Sequence, residues 1–166
     1  MKIFKLILVV LVSSFAFKIG YSQNALINIL TQNTGVVKIG QTVLLEVTIN
    51  NTDPTSYIGV YKIKASISIP SDVITISSYG HVLPTGWTIL SNNGSVIQLS
   101  NGKDMLAAND ARTILIALQA KKIGGPSTIS GQLSFSNGIA PGTAPGALNG
   151  DFPADNSSTS TCKVIK

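Results

Sequence analysis

The sequence predicts an all-β fold, two packed antiparallel sheets built from about seven to nine short strands. Three observations carry this reading. Apolar and polar residues alternate with period two along several segments, which places one face of each strand in a dry core and the other in water. The apolar residues are mostly Ile, Val and Leu, and β-branched side chains suit a pleated surface. Asn, Gly, Asp and Pro cluster at short intervals, where turns need them, and no segment carries a convincing helical stripe.

Taken in order, the expected strands begin with Ala25 to Leu30 and Val36 to Ile39. Gln41 to Asn50 follows, with Val43, Leu45, Val47 and Ile49 on one face, and Asn50-Asn51-Thr52-Asp53-Pro54 ends it as a turn. The clearest strand is Val60 to Ile69, where Ile63, Ala65, Ile67 and Ile69 alternate with Lys62, Lys64, Ser66 and Ser68. Val73 to Ser77, Trp87 to Leu90 and Val96 to Leu99 are shorter. Lys103 to Arg112 is short and turn-prone, a loop leading into Arg112 to Lys121, whose Ile114, Ile116, Leu118 and Ala120 share a side. Thr128 to Phe135 and Thr159 to Ile165 complete the set. Between them, Gly138 to Asn156 holds three prolines and four glycines without a strand pattern, and reads as a long connection.

The chain opens with Lys2 and Lys5, an apolar run from Leu6 to Phe17, and a small-residue exit at Gly20-Tyr21-Ser22, in the order of a secretory signal. Cleavage is expected before Gln23, leaving residues 23–166 as a single domain. A spanning helix needs about 20 predominantly apolar residues. This run stops at Lys18, so no stable membrane span is expected after cleavage, and the expected location is secreted, cell-surface or periplasmic.

The formal charge of +5 invites a nucleic-acid reading until the lysines are placed. Lys2, Lys5 and Lys18 belong to the signal, so nine of the 12 basic residues remain against 7 acidic ones. The rest are scattered, with Lys121-Lys122 the only adjacent pair, and no basic stripe exists along which a phosphate backbone could release counterions. Cys162 is the only cysteine, so the fold stands without an internal disulfide.

Three stretches resemble the conserved-repeat module (DUF11) of bacterial surface and secreted proteins, an immunoglobulin-like β-sandwich. They are Val37-Lys38-Ile39-Gly40-Gln41-Thr42-Val43 through Val47-Thr48-Ile49-Asn50-Asn51-Thr52, then Leu83-Pro84-Thr85-Gly86-Trp87 with Leu106 to Ile114, and finally Asp155 to Val164. The resemblance covers nearly all of the chain beyond the signal. Asn109-Asp110 departs from it, standing where that family usually has Gly, and Asp53-Pro54 replaces a simple Gly. Cohesin-type sandwiches share the early spacing seen here in Val37, Gly40 and Val43. A signal ending in Ser-Gln, with Asn, Ser and Ile richness, is similar to Bacteroidetes-type secreted proteins. Together these imply a non-enzymatic structural or adhesion module that meets a protein or glycan at the cell surface. A carbohydrate-binding sandwich and a cohesin-like scaffold module are the alternatives.

The residues give little chemistry to set against that. His81 is the only histidine and lies in an apparent turn, while Cys162 is expected on the buried face it shares with Val164, where a neutral thiol is a small hydrophobe. No catalytic residue is assigned. Asp151, Asp155 and Asn156, or Asp104 with Asp110, could offer oxygen ligands to Ca²⁺, but neither set follows an EF-hand loop, so no cofactor or metal is expected. Gly138 to Gly150 lacks the Gly-Lys-Ser or Gly-Lys-Thr ending of a phosphate loop. Tyr57, Tyr61, Tyr79 and Trp87 are the candidate ligand contacts, as a carbohydrate-stacking platform. Against that, Trp87 also reads as a core plug with its indole N–H on a loop carbonyl, and period two from Ile63 turns Tyr57 and Tyr61 inward.

Overall fold

A computed structural model of the chain describes residues 23–140, 145–148 and 150–166. The expected signal, residues 1–22, lies outside the described residues. Ten strands are present among those described: β1 (Ala25–Thr31), β2 (Val36–Lys38), β3 (Thr42–Asn51), β4 (Ile63–Ser68), β5 (Ile74–Ile76), β6 (Thr88–Asn92), β7 (Val96–Ser100), β8 (Ala111–Ala120), β9 (Gly124–Phe135) and β10 (Ser157–Ile165). Single 3-10 turns sit at Asn33–Gly35 and Pro153–Asp155. One sheet runs β1-β3-β8-β5 and the other β2-β10-β9-β4-β7-β6, antiparallel except where β2 lies parallel to β10. The all-β sandwich expected from the alternation is the fold observed, with ten strands among the described residues where about seven to nine were expected. No helix among the described residues is long and apolar enough to cross a membrane.

The core sits between the two sheets and is made of the predicted rows. Val43, Leu45, Val47 and Ile49 from β3, Ile63, Ala65 and Ile67 from β4, and Ile114, Ile116 and Leu118 from β8 are all buried. Each such Val, Ile or Leu contributes about 1.5–3 kcal/mol relative to exposure, which is how the chain stands without a disulfide. Gly131 on β9 faces this core, where a Cβ would press on Ile29, Ile27 and Ile67 within 3.0–3.2 Å. The missing side chain lets the sheets close there.

The inward row of β10 changes character along its length, from Ser158 and Ser160 to Cys162 and Val164. The apolar half is fully buried, Cys162 included, as the sequence implied. The polar half meets the outer edge of β1, where the Ile29 N–H donates to Ser158 Oγ (3.2 Å) and the Thr31 N–H to Ser160 Oγ (3.0 Å). Side-chain hydroxyls thus occupy backbone donors that an edge strand would otherwise leave open.

The expected Val60–Ile69 strand needs correction. It begins at Ile63 because Tyr61 takes a left-handed conformation (φ 58°) and the Ile63 N–H is captured by Asn101 Oδ1 (2.9 Å). Register therefore does not extend back to Tyr57, which is 59% exposed and not turned inward.

Candidate functional site

Chain direction gathers the β3–β4 connection (52–62), the β7–β8 connection (101–110), the described parts of the β9–β10 connection and residues 23–24 at one end of the sandwich. Two buried asparagines hold these loops. Asn51 Nδ2 donates to the carbonyls of Ser56 (2.7 Å), Ala107 (2.9 Å) and Leu106 (3.2 Å), while its Oδ1 accepts the Asp53 N–H. Asn101 does the same one layer across, donating to Gly59 (2.8 Å) and Asp104 (2.7 Å) and accepting from Ile63. Each carboxamide replaces several missing ladder bonds, so irregular backbone can be buried without orphaned groups.

Asp53 fastens the first loop further. Its Oδ1 accepts the Thr55 N–H (2.7 Å), the Thr55 hydroxyl (2.9 Å) and the Ser56 N–H (2.7 Å). Led by the Thr55 backbone bond, these donors lower its pKa from the usual 3.8, although burial opposes them. Gly102 permits the second loop's close turn (φ 47°), since a Cβ there would collide with the Gly86 carbonyl.

Between the loops runs a two-residue bridge: the Ile58 N–H donates to Leu106 O (2.8 Å), and the Leu106 N–H to Ile58 O (3.1 Å). Ile58 and Leu106 are fully buried. Extended backbone sends adjacent side chains to opposite faces, so the preceding residues, Tyr57 (59% exposed) and Met105 (51% exposed), are displayed outward. Val60, Ile139 and Phe152 add exposed apolar surface at the same end. The outer hollow beside the bridge, about 410 Å³, is lined by Gln23, Tyr57, Gly59, Val60, Lys62, Met105, Asn137 and Gly138. A second hollow shares Gln23 and Tyr57 with it, and Thr55 links that one to a third under Phe152.

The four aromatic candidates do not form one platform. Trp87 is buried, and its indole N–H donates to a carboxylate, Asp104 Oδ2 (2.9 Å), where a loop carbonyl was expected. Tyr61 is half-buried in its turn. Tyr79 is exposed in a separate hollow beside β5, with Asn92 and Gln119. Only Tyr57 belongs to the loop end as an exposed ring. Sequence reasoning missed Met105, whose outward display depends on a two-residue bridge too short to leave a periodic signal, and it missed Phe152 and Lys62 in the neighbouring connections.

The ionisable candidates are engaged by the fold. Arg112 stands between Asp104 and Asp110, gripping Asp104 through Nε (2.7 Å) and Nη2 (3.2 Å) and Asp110 through Nη1 (2.6 Å). A cation already occupies that pair, and the Arg112 bond holds the Asp110 pKa below its usual 3.8. Asp151 is bonded by Asn156 Nδ2 (2.6 Å) and Asp155 by Asn24 Nδ2 (2.9 Å), while Asp155 Oδ1 and Asn156 Oδ1 are buried without a hydrogen-bond partner. Among the described residues no group of three or more His, Cys, Asp or Glu is placed to hold a metal. His81 is fixed by backbone on both sides, with Nε2 at 3.0 Å from Ser77 O and Nδ1 accepting the Ala117 N–H (3.1 Å). Burial raises the Cys162 pKa, keeping it a thiol. His81 lies in the β5–β6 connection against β8, whereas Cys162 lies in the core on β10 of the other sheet.

No family model and no curated protein matches the chain. Solved structures do. A cohesin module from a Clostridium perfringens family 33 glycoside hydrolase is 14% identical over 87% of this chain and 97% of its own, with a TM-score of 0.54. The likeness is one of fold. The CARDB domain of a Pyrococcus furiosus protein, solved in complex with di-metal ions, matches at 13% identity over 87% of this chain and 90% of its own, TM-score 0.50. The major pilin subunit of Bacillus cereus matches at 9% identity and TM-score 0.52, over 86% of this chain and 40% of the pilin. These place the sandwich among immunoglobulin-like folds, and at such identities function does not follow from them.

Proposed function

We propose that this chain is an exported, non-enzymatic interaction module of the bacterial cell surface, and that its contact face is the loop end built around the Ile58–Leu106 bridge. The observation that carries the reading is the pairing of a rigid, asparagine-fastened base with outward Tyr57 and Met105. A Tyr ring over a pre-ordered backbone loses little entropy on binding, and the flexible, polarisable Met beside it adapts to the shape of a partner, which is what interface anchors need. The signal pattern, the resemblance to the conserved-repeat module, and fold neighbours that include a cohesin module and a pilin subunit support the same direction. The engagement of His81 by backbone and the burial of Cys162 leave neither as a ready nucleophile or base.

Site-directed photo-crosslinking in the native bacterium tests this. A benzophenone side chain at Tyr57 or Met105 is expected to give a discrete protein adduct, and the same group at Gln98, on the outer face of β7, is expected to give none. The exported chain is expected to begin at Gln23 by terminal sequencing. Adducts only from the sheet face, or hydrolysis of a glycan, ester or peptide panel that is lost in His81→Ala, would overturn the proposal.

A further inference from the structure

We infer that the hollow beside the Ile58–Leu106 bridge receives a peptide segment carrying an acidic residue next to an apolar one, with Lys62 taking the acid; this rests on the loop end being the contact face. The chain has 7 acidic residues, all among those described, and among the described residues the only ion pairs they form are with Arg112. Among the described residues Lys62, like the other lysines, has no carboxylate within ion-pair distance.

At this end of the sandwich the carboxylates are held elsewhere. Asp53 is wrapped by Thr55 and Ser56, Asp104 and Asp110 by Arg112, Asp151 by Asn156 and Asp155 by Asn24. Lys62 is half-buried, its stem against Gly138, where a Cβ would meet Cε at 3.0 Å and Cδ at 3.3 Å. A lysine with its methylenes packed, lining a hollow beside apolar side chains, is poised to pair with an incoming carboxylate. Tyr57, Val60 and Met105 line the same hollow and supply the apolar side. Val60 and Met105 add aliphatic surface that an apolar peptide side chain covers, and this favours a peptide over an acidic glycan. At about 410 Å³ and open to solvent, the space suits one or two side chains of an extended segment.

The test is selection of random phage-displayed peptides on the purified chain, followed by anisotropy titration of a synthetic peptide bearing the enriched motif. The expected motif is Asp or Glu beside an aliphatic or aromatic residue. Lys62→Glu is expected to weaken that peptide about tenfold or more. Lys62→Met, which keeps the stem on Gly138, is expected to retain apolar binding but lose discrimination between Glu and Gln in the peptide. Enrichment without acidic residues, or equal binding by wild type and Lys62→Glu, overturns the proposal and leaves the loop end as contact face. A polyuronate that binds where no acidic-apolar peptide does overturns it in favour of a glycan. Peptide binding that survives both Lys62→Glu and Met105→Ser places the contact elsewhere and removes the reading of the loop end as well.

Discussion

Asn101 shows how much of this molecule depends on single buried polar side chains. It is fully buried and joins three backbone groups that no strand pairs, the Ile63 N–H and the Gly59 and Asp104 carbonyls. Asn101→Ala leaves all three unsatisfied, and each unmet buried group costs about 1–3 kcal/mol, partly relieved by rearrangement. A loss of about 3 kcal/mol is expected, read as a lower urea midpoint at unchanged slope. Asn50→Ala, on the outer face of β3, is expected to stay within about 0.5 kcal/mol of wild type. Equal midpoints for the two variants would show that the loop end does not hang on the carboxamide. Nothing in the sequence distinguishes Asn101 or Asn51 from the many turn asparagines around them. Their role comes from loops far apart in the chain converging on one side chain, which no local pattern encodes.

At the scale of elements, legibility follows period two. Long strands with one dry face were readable because four or more alternating positions agree, as in β3, β4 and β8, and their inward rows are the observed core. Where only local backbone geometry decides, the reading slipped: β4 starts at Ile63 and not Val60, and β9 begins at Gly124, ahead of the expected Thr128 and through Pro126. The inward expectation for Tyr57 fails for the same reason, since a positive φ at Tyr61 resets the phase. The serines of β10 were visible, but their purpose was not, because it lies in the opposite sheet. Ser158→Val with Ser160→Val strips the hydroxyls from the Ile29 and Thr31 N–H groups. A stability loss of about 1–3 kcal/mol is expected, together with self-association through the reopened β1 edge, measured by sedimentation. Ser157→Val with Thr159→Val, on the exposed face of the same strand, should leave a stable monomer-like profile unchanged from wild type. If both pairs behave alike, the hydroxyls do not guard the edge.

For the whole molecule, the two carboxylates whose pKa values are lowered, Asp53 and Asp110, both lie in the loops of the proposed contact face. A group whose pKa is lower in the folded than in the unfolded chain binds its proton more readily when unfolded. Its contribution to stability is therefore present above the unfolded value and lost as pH falls through it toward the folded value. With 3.8 as the ordinary value for both, acid should weaken the chain from about that pH downward, and first where Asp53 holds Thr55 and Ser56 and where Arg112 holds Asp110. The Arg112 pair is partly exposed, so solvent and salt screen its share. Asp53→Asn combined with Asp110→Asn is expected to melt below wild type at neutral pH and to lose less as pH is lowered, so that the two melting curves converge in acid. Hydrogen exchange in the same series should show amides of Asp53–Ile58 losing protection before those of β3 and β8. A wild-type and variant gap that stays constant from neutral pH to well below 3.8 would mean that neither carboxylate stabilises the loops through its charge, and that the rigidity of the contact face rests on Asn51 and Asn101 alone.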